Sequence, residues 1–169
     1  MTESNRRRES GVDAGWDRPS ATQARERRPP AAYGLLGLVL FQGLSGLAGG
    51  FGLLADPSGT SMRIPLEWLG GSPFQSYLIP GIVLFAVLGL FPLVVAYGVG
   101  RRRAWAWAGS LAVGLTLIGF LAVEVLVVGF HLQPPLQPIY ALVAVGIVLL
   151  AMAPSVRGWL RQTERRPVE

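Results

Sequence analysis

Two side chains able to do acid–base or ligand chemistry stand close together in the second half of the chain. Glu124 lies inside the aliphatic run "LAVEVLVV", residues 121–128, and His131 follows seven residues later. Seven residues is close to two helical turns, so on a helix the carboxyl and the imidazole share a face, the histidine about 10 Å further along. One acid and one histidine at this spacing make no metal motif, which needs three or four ligands, and no metal site or cofactor is expected. A lone carboxyl among aliphatic side chains can instead hold a cation, pass a proton, or donate a hydrogen bond as a neutral acid, since desolvation disfavours its charged form. The candidate partners of the carboxyl at similar depth are Tyr140, Tyr77, Gln133, Gln137 and, if the long connection folds inward, Arg63; the candidate ligand-binding residues are Glu124, His131, Tyr140, Tyr77 and Arg63. Gln42, in another apolar run, is a further candidate, because an amide in hydrocarbon must find a hydrogen-bond partner.

The elements that would carry these groups follow from the distribution of charge. No charged residue lies between Arg28 and Asp56, and none between Glu67 and Arg101. Each run is long enough to cross a bilayer core of about 30 Å at about 1.5 Å per residue. A third run follows Arg103, interrupted by Glu124, and a fourth lies between His131 and Arg157. With a mean hydropathy of +0.44 and 15% charged residues, the composition belongs to the membrane class. The expected fold is all-α: four transmembrane helices in an up-down bundle over residues 31–156, with spans at about 32–54, 77–99, 105–130 and 139–156. Residues 1–30 hold seven arginines, five acids and three prolines with almost no aliphatic side chain, which predicts a disordered tail; residues 157–169 form a second tail.

Orientation follows from arginine, which supplies all fifteen basic residues. Fourteen fall in the N-terminal tail, the 101–103 connection and the C-terminal tail, while the other two connections share Arg63 alone. The positive-inside rule therefore predicts both termini in the cytoplasm of a multi-pass protein of the cell membrane. The arginines flank the spans and do not build a basic face with interleaved aromatics, so nucleic acid is not an expected partner. "RRRAWAW" reads as a membrane anchor, with Arg101, Arg102 and Arg103 at lipid phosphates and Trp105 and Trp107 at headgroup depth.

The first span carries glycines 34, 37, 43, 46, 49 and 50, spaced to bring bare backbone to one face for close packing by another helix, in this protein or a partner. Pro92 lies deep in the second span and predicts a kink over residues 88–92. The long connection at residues 55–77 opens with the turn sequence "DPSG" and then carries Ile64, Leu66, Trp68 and Leu69, a short interfacial segment acting as lid or plain connection. With no cysteine, no serine elbow, no phosphate loop and no paired carboxylates, the sequence carries no enzyme motif.

The combination of "DPSG" (56–59), "SPFQSYLIPG" (72–81), "RRRAWAW" (101–107) and "LQPIY" (136–140) resembles a group of small four-span membrane proteins of unassigned function in actinobacteria and haloarchaea. The resemblance covers about residues 35–153. It implies a compact four-helix protein of the cytoplasmic membrane, and brings no catalytic residue. Three functions are compatible with these features: an interaction or accessory subunit, a binder or carrier of a lipophilic molecule in an outer pocket around Glu124, and an enzyme acting on a lipid or isoprenoid with Glu124 as acid or base.

Overall fold

The computed structural model describes residues 28–130 and 135–161. Over these residues the regular structure is all helical: α1 (Pro30–Ala55), α2 (Leu78–Gly100), α3 (Trp105–Val128), α4 (Leu136–Met152) and α5 (Pro154–Arg161), with a 3₁₀ turn at Leu66–Leu69. The helices α1, α2 and α3 are each long and apolar enough to cross a membrane. At 17 residues α4 reaches that length only together with α5, which it meets at 62°. Each of the first four helices packs on the next in the chain, and α4 returns to α1.

Many large side chains face outward, and small residues take a large share of the buried positions. Leu126 is 85% exposed and Leu142 74%, whereas Ala32, Ala106, Ala144 and Ala151 are fully buried. Hydrocarbon solvates a leucine as well as another leucine does, so helix association there depends on close backbone approach. The buried face of α1 follows this logic at helical spacing: Ala32, Leu35, Val39, Gln42, Gly43, Gly46, Gly50 and Leu53. Its glycines close against the chain's own α2. A Cβ on Gly46 would run into the Leu88 carbonyl, and one on Gly89 would come within 2.7 Å of the Leu47 nitrogen. Two bare backbones therefore touch where α1 and α2 cross.

Around this crossing α2 changes its winding. Residues Leu84–Leu90 form a π-helical stretch directly before Pro92, with the Phe91 amide bonded five residues back to the Ala86 carbonyl. Proline has no amide hydrogen, and its ring crowds the carbonyl four residues earlier, here Leu88. The wider π turn relieves this conflict where a kink is expected, and Leu78–Gly100 runs as one span.

The last helix is where the expected spans and the structure differ most. A span over 139–156 would pass through Pro154, but Ala153 precedes that proline and takes ψ 127°, because the proline ring disfavours helical ψ in the residue before it. The helix therefore stops at Met152, and α5 turns off at 62° with Val156, Trp159 and Leu160 buried. What reads in the sequence as the start of a tail is thus a docked helix on α3, α4 and α1.

The crossing generates a direct test. Gly37 has nothing within 4 Å of a would-be Cβ, so Gly37→Ala should be neutral or raise stability by up to about 1 kcal/mol through helix propensity. Gly46→Ala, nine residues on in the same helix, should lower the melting temperature in detergent clearly, because backbone and not a mobile side chain must give way. Equal melting temperatures for the two variants would remove the close-contact account.

Candidate functional site

Glu124 occupies the last two turns of α3 and is half-buried. Its Oε1 accepts a hydrogen bond from Gln137 Nε2 at 3.2 Å, and the same nitrogen donates to the Gly129 carbonyl at 3.1 Å. Gly129 takes φ 92° and ψ 170° just after α3, an extended positive-φ conformation that is open to glycine and costly for other residues. Gln137, in the first turn of α4, is buried. One amide thus ties the exposed carbonyl at the end of α3, the carboxyl one turn inside it and the start of α4 into a single reversal. Of the partners expected for Glu124, the structure brings Gln137 to it; His131 and Gln133 lie outside the described residues.

The other candidates sit elsewhere. The ring of Tyr140 stacks on Phe41 of α1 at 6.2 Å between centroids. Tyr77 turns into the long connection, where its hydroxyl donates to the Pro65 carbonyl at 2.7 Å and its amide to the Pro57 carbonyl at 2.8 Å, beside buried Leu53 and Leu69. This burial pushes the phenol above its ordinary pKa. Arg63 takes φ 56°, an uncommon conformation for a residue other than glycine, at the edge of an open depression of about 380 Å³ lined also by Ser58, Thr60, Ile64, Pro65 and Leu66. Among the described residues no ion pair joins it to Glu124.

Asp56 organises this connection. Its carboxylate accepts from the Ser58 hydroxyl at 2.6 Å, the Ser58 amide at 3.1 Å and the Ser61 amide at 2.8 Å. The Ser58 hydroxyl first, then the Ser61 amide, hold the carboxyl at about 2, below its ordinary 3.8. Hydroxyls and amides here serve the turn.

Gln42 lies on the buried face of α1, and its Nε2 donates to the Leu88 carbonyl at 3.2 Å. Leu88 is the residue four before Pro92, so the carbonyl that has lost its ordinary helical donor receives one from the neighbouring helix. A need for such a donor was visible in the spacing of Pro92; which amide meets it was not.

At the opposite end from Glu124, four guanidinium groups converge on two indoles. Arg157 and Arg161 of α5 lie over the Trp107 ring at 5.0 and 4.2 Å, and Arg28 and Arg102 over the Trp159 ring at 5.2 and 4.6 Å. The Trp107 indole donates to the Ala151 carbonyl at 3.0 Å, one of the last-turn carbonyls of α4. Arg28 donates to the Gly100 carbonyl, likewise at the end of α2, at 3.0 Å. Arg101 covers Tyr97 at 5.3 Å, Arg103 is exposed, and half-exposed Trp105 packs over Gly98. The anchor sequence thus divides: Trp105 faces out, while Trp107 is built into the helix break. The stretch from Arg157, with its arginines and Trp159, reads in the sequence as an interfacial helix end, but the stacking of Arg157 and Arg161 on Trp107 and of Arg28 on Trp159 was not legible there; for the first, the available signal is the i, i+4 arginine pair on a helix started by Pro154.

No protein-family model, curated protein or solved structure matches the chain.

Three substitutions separate the roles of the two internal polar sites. Gln42→Leu removes the donor to the Leu88 carbonyl and should cost about 1–3 kcal/mol, read as a fall in melting temperature. Glu124→Gln keeps an oxygen to accept from Gln137 and should stay within about 0.5 kcal/mol of wild type. Glu124→Leu removes one of the two acceptors of the buried Gln137 amide nitrogen and should destabilise; a leucine variant more stable than wild type would put the side chain on the outer surface.

The Asp56 turn has its own pH signature. Because the carboxyl is held below its unfolded value of about 3.9, its contribution is fully present above that pH and fades as the pH falls through about 2. Proteolysis within residues 55–77 at neutral pH should be faster in Asp56→Ala than in wild type, and unchanged rates would show that the turn holds without the carboxylate.

Proposed function

We propose that the chain is a four-span protein of the cell membrane, an up-down bundle with both termini cytoplasmic, that serves as an interaction or accessory subunit of a membrane assembly. One observation carries the functional half of this reading: three polar side chains inside the bundle donate to backbone carbonyls at or near the ends and breaks of neighbouring helices, Gln42 to Leu88, Trp107 to Ala151 and Gln137 to Gly129. Groups committed in this way hold helices in register. The fold half is supported by three or four helices of adequate length and apolarity and by the arginine asymmetry. The resemblance to small four-span proteins of actinobacteria and haloarchaea points the same way. With Gly43, Gly46 and Gly50 closed on α2, the face of α1 left to another membrane protein or a second copy bears Tyr33, Gly37, Leu40, Leu44 and Phe51.

A second reading, a binder of a lipophilic molecule, is favoured by Glu124 itself. Only one of its oxygens accepts a hydrogen bond among the described residues, which leaves acceptor capacity for a ligand hydroxyl or amine. Mass spectrometry of the chain extracted in native lipid distinguishes the two. A stoichiometric partner protein supports the subunit; a single copurifying small molecule, lost in Glu124→Gln, supports the binder.

The topology has an independent test. A cysteine placed at Ser58 should react with an impermeant thiol reagent outside intact cells, whereas one at Ser10 or Thr163 should not. The reverse pattern would invert the bundle and put Glu124 near the cytoplasm.

A further inference from the structure

We infer that Arg157 and Arg161, held over the Trp107 ring, form a binding site for the phosphate of an anionic phospholipid headgroup. The ring is a fixed platform: its indole N–H is bonded to the Ala151 carbonyl, and α5 is seated by buried Val156, Trp159 and Leu160. A guanidinium stacked on an indole spends its face on the ring and keeps its N–H donors in the plane, directed away from it. Both arginines are exposed, and neither is hydrogen-bonded or ion-paired among the described residues. Two like charges one helical turn apart repel, and an anion between them relieves that repulsion while accepting the in-plane donors, the bidentate geometry in which arginine meets phosphate. Charge complementarity selects the occupant. The acids of the described residues, Asp56, Glu67 and Glu124, all lie at the other end of the helices, and the stretches that the reading above puts on the arginine side carry fourteen arginines against seven acids, so that side is net positive where the same reading puts the inner leaflet with its anionic lipids.

The inference rests on the membrane reading, and the two fail differently. A chain released from membranes by alkaline carbonate overturns that reading itself. For the site, the full chain in detergent is titrated with phosphatidylglycerol, phosphatidylcholine or inorganic phosphate, and bound adducts are counted by native mass spectrometry. Phosphatidylglycerol should bind at least several-fold more tightly than phosphatidylcholine. Arg157→Gln with Arg161→Gln should weaken it about tenfold without altering the melting temperature, whereas Arg63→Gln at the other end should leave it unchanged. The pair Arg157→Lys and Arg161→Lys, which keeps the charge but not the planar fork, should recover only part of the affinity. Equal binding of the two lipids, a lysine pair as good as arginine, or inorganic phosphate displacing phosphatidylglycerol at equal concentration would each overturn the site.

Discussion

A backbone carbonyl that loses its helical donor inside a low-dielectric bundle has no water to turn to, and this constraint shapes the protein from end to end. Its sharpest case is the Leu88 carbonyl. Pro92 denies it the ordinary donor, the preceding turn widens, and Gln42 reaches across from α1 to supply a hydrogen. That bond spans only 3.2 Å, so α1 must lie close to α2, which in turn demands glycine at 46 and 89. A side-chain donor serves a carbonyl at three other helix ends: Trp107 serves Ala151, Gln137 serves Gly129 and Arg28 serves Gly100. Gln42, Trp107 and Arg28 come from elements distant in the chain, so there satisfying the backbone and fixing the tertiary arrangement are one event.

This explains why some features were legible in the sequence and others were not. The helices were, because uncharged runs bounded by arginine and turn residues reflect what hydrocarbon accepts, and α1, α2 and α3 fall within a residue or two of the runs read for them. The end of α4 was not. Hydropathy continues smoothly through Pro154, and only the steric effect of that proline on Ala153 breaks the helix. Among the polar residues, the need for partners could be read but not the pairing. Gln137 was one of several groups at the depth of Glu124, and the geometry of the reversal at Gly129 decides between them. Tyr77 was drawn away by a local hydrogen bond to Pro65 that depends on the path of a long connection. Pairings of this kind are tertiary facts, set by which helix ends face each other.

The two ends of the bundle solve opposite problems. At the Glu124 end the chain turns back through short reversals and a long connection tied down by Asp56, and its acids and its lone arginine, Arg63, sit apart. At the other end, positive charges are gathered and placed on aromatic faces, where the ring quadrupole offsets part of their mutual repulsion. The bend at Ala153 makes this possible, since a straight α4 would carry Arg157 and Arg161 away from Trp107. The proline that ends α4 thereby organises the arginine surface.

The link between Gln42 and Pro92 also bears on how the sequence can drift over time. A chain that replaced Pro92 with an ordinary residue would regain the helical donor for Leu88, and the amide at 42 would then be a polar group in hydrocarbon with less to do. Conversely, an aliphatic residue at 42 is tolerable only once the proline is gone. Related chains should therefore show covariation between these positions, fifty residues apart, with amide and proline appearing and disappearing together, and small residues at 46 and 89 following them.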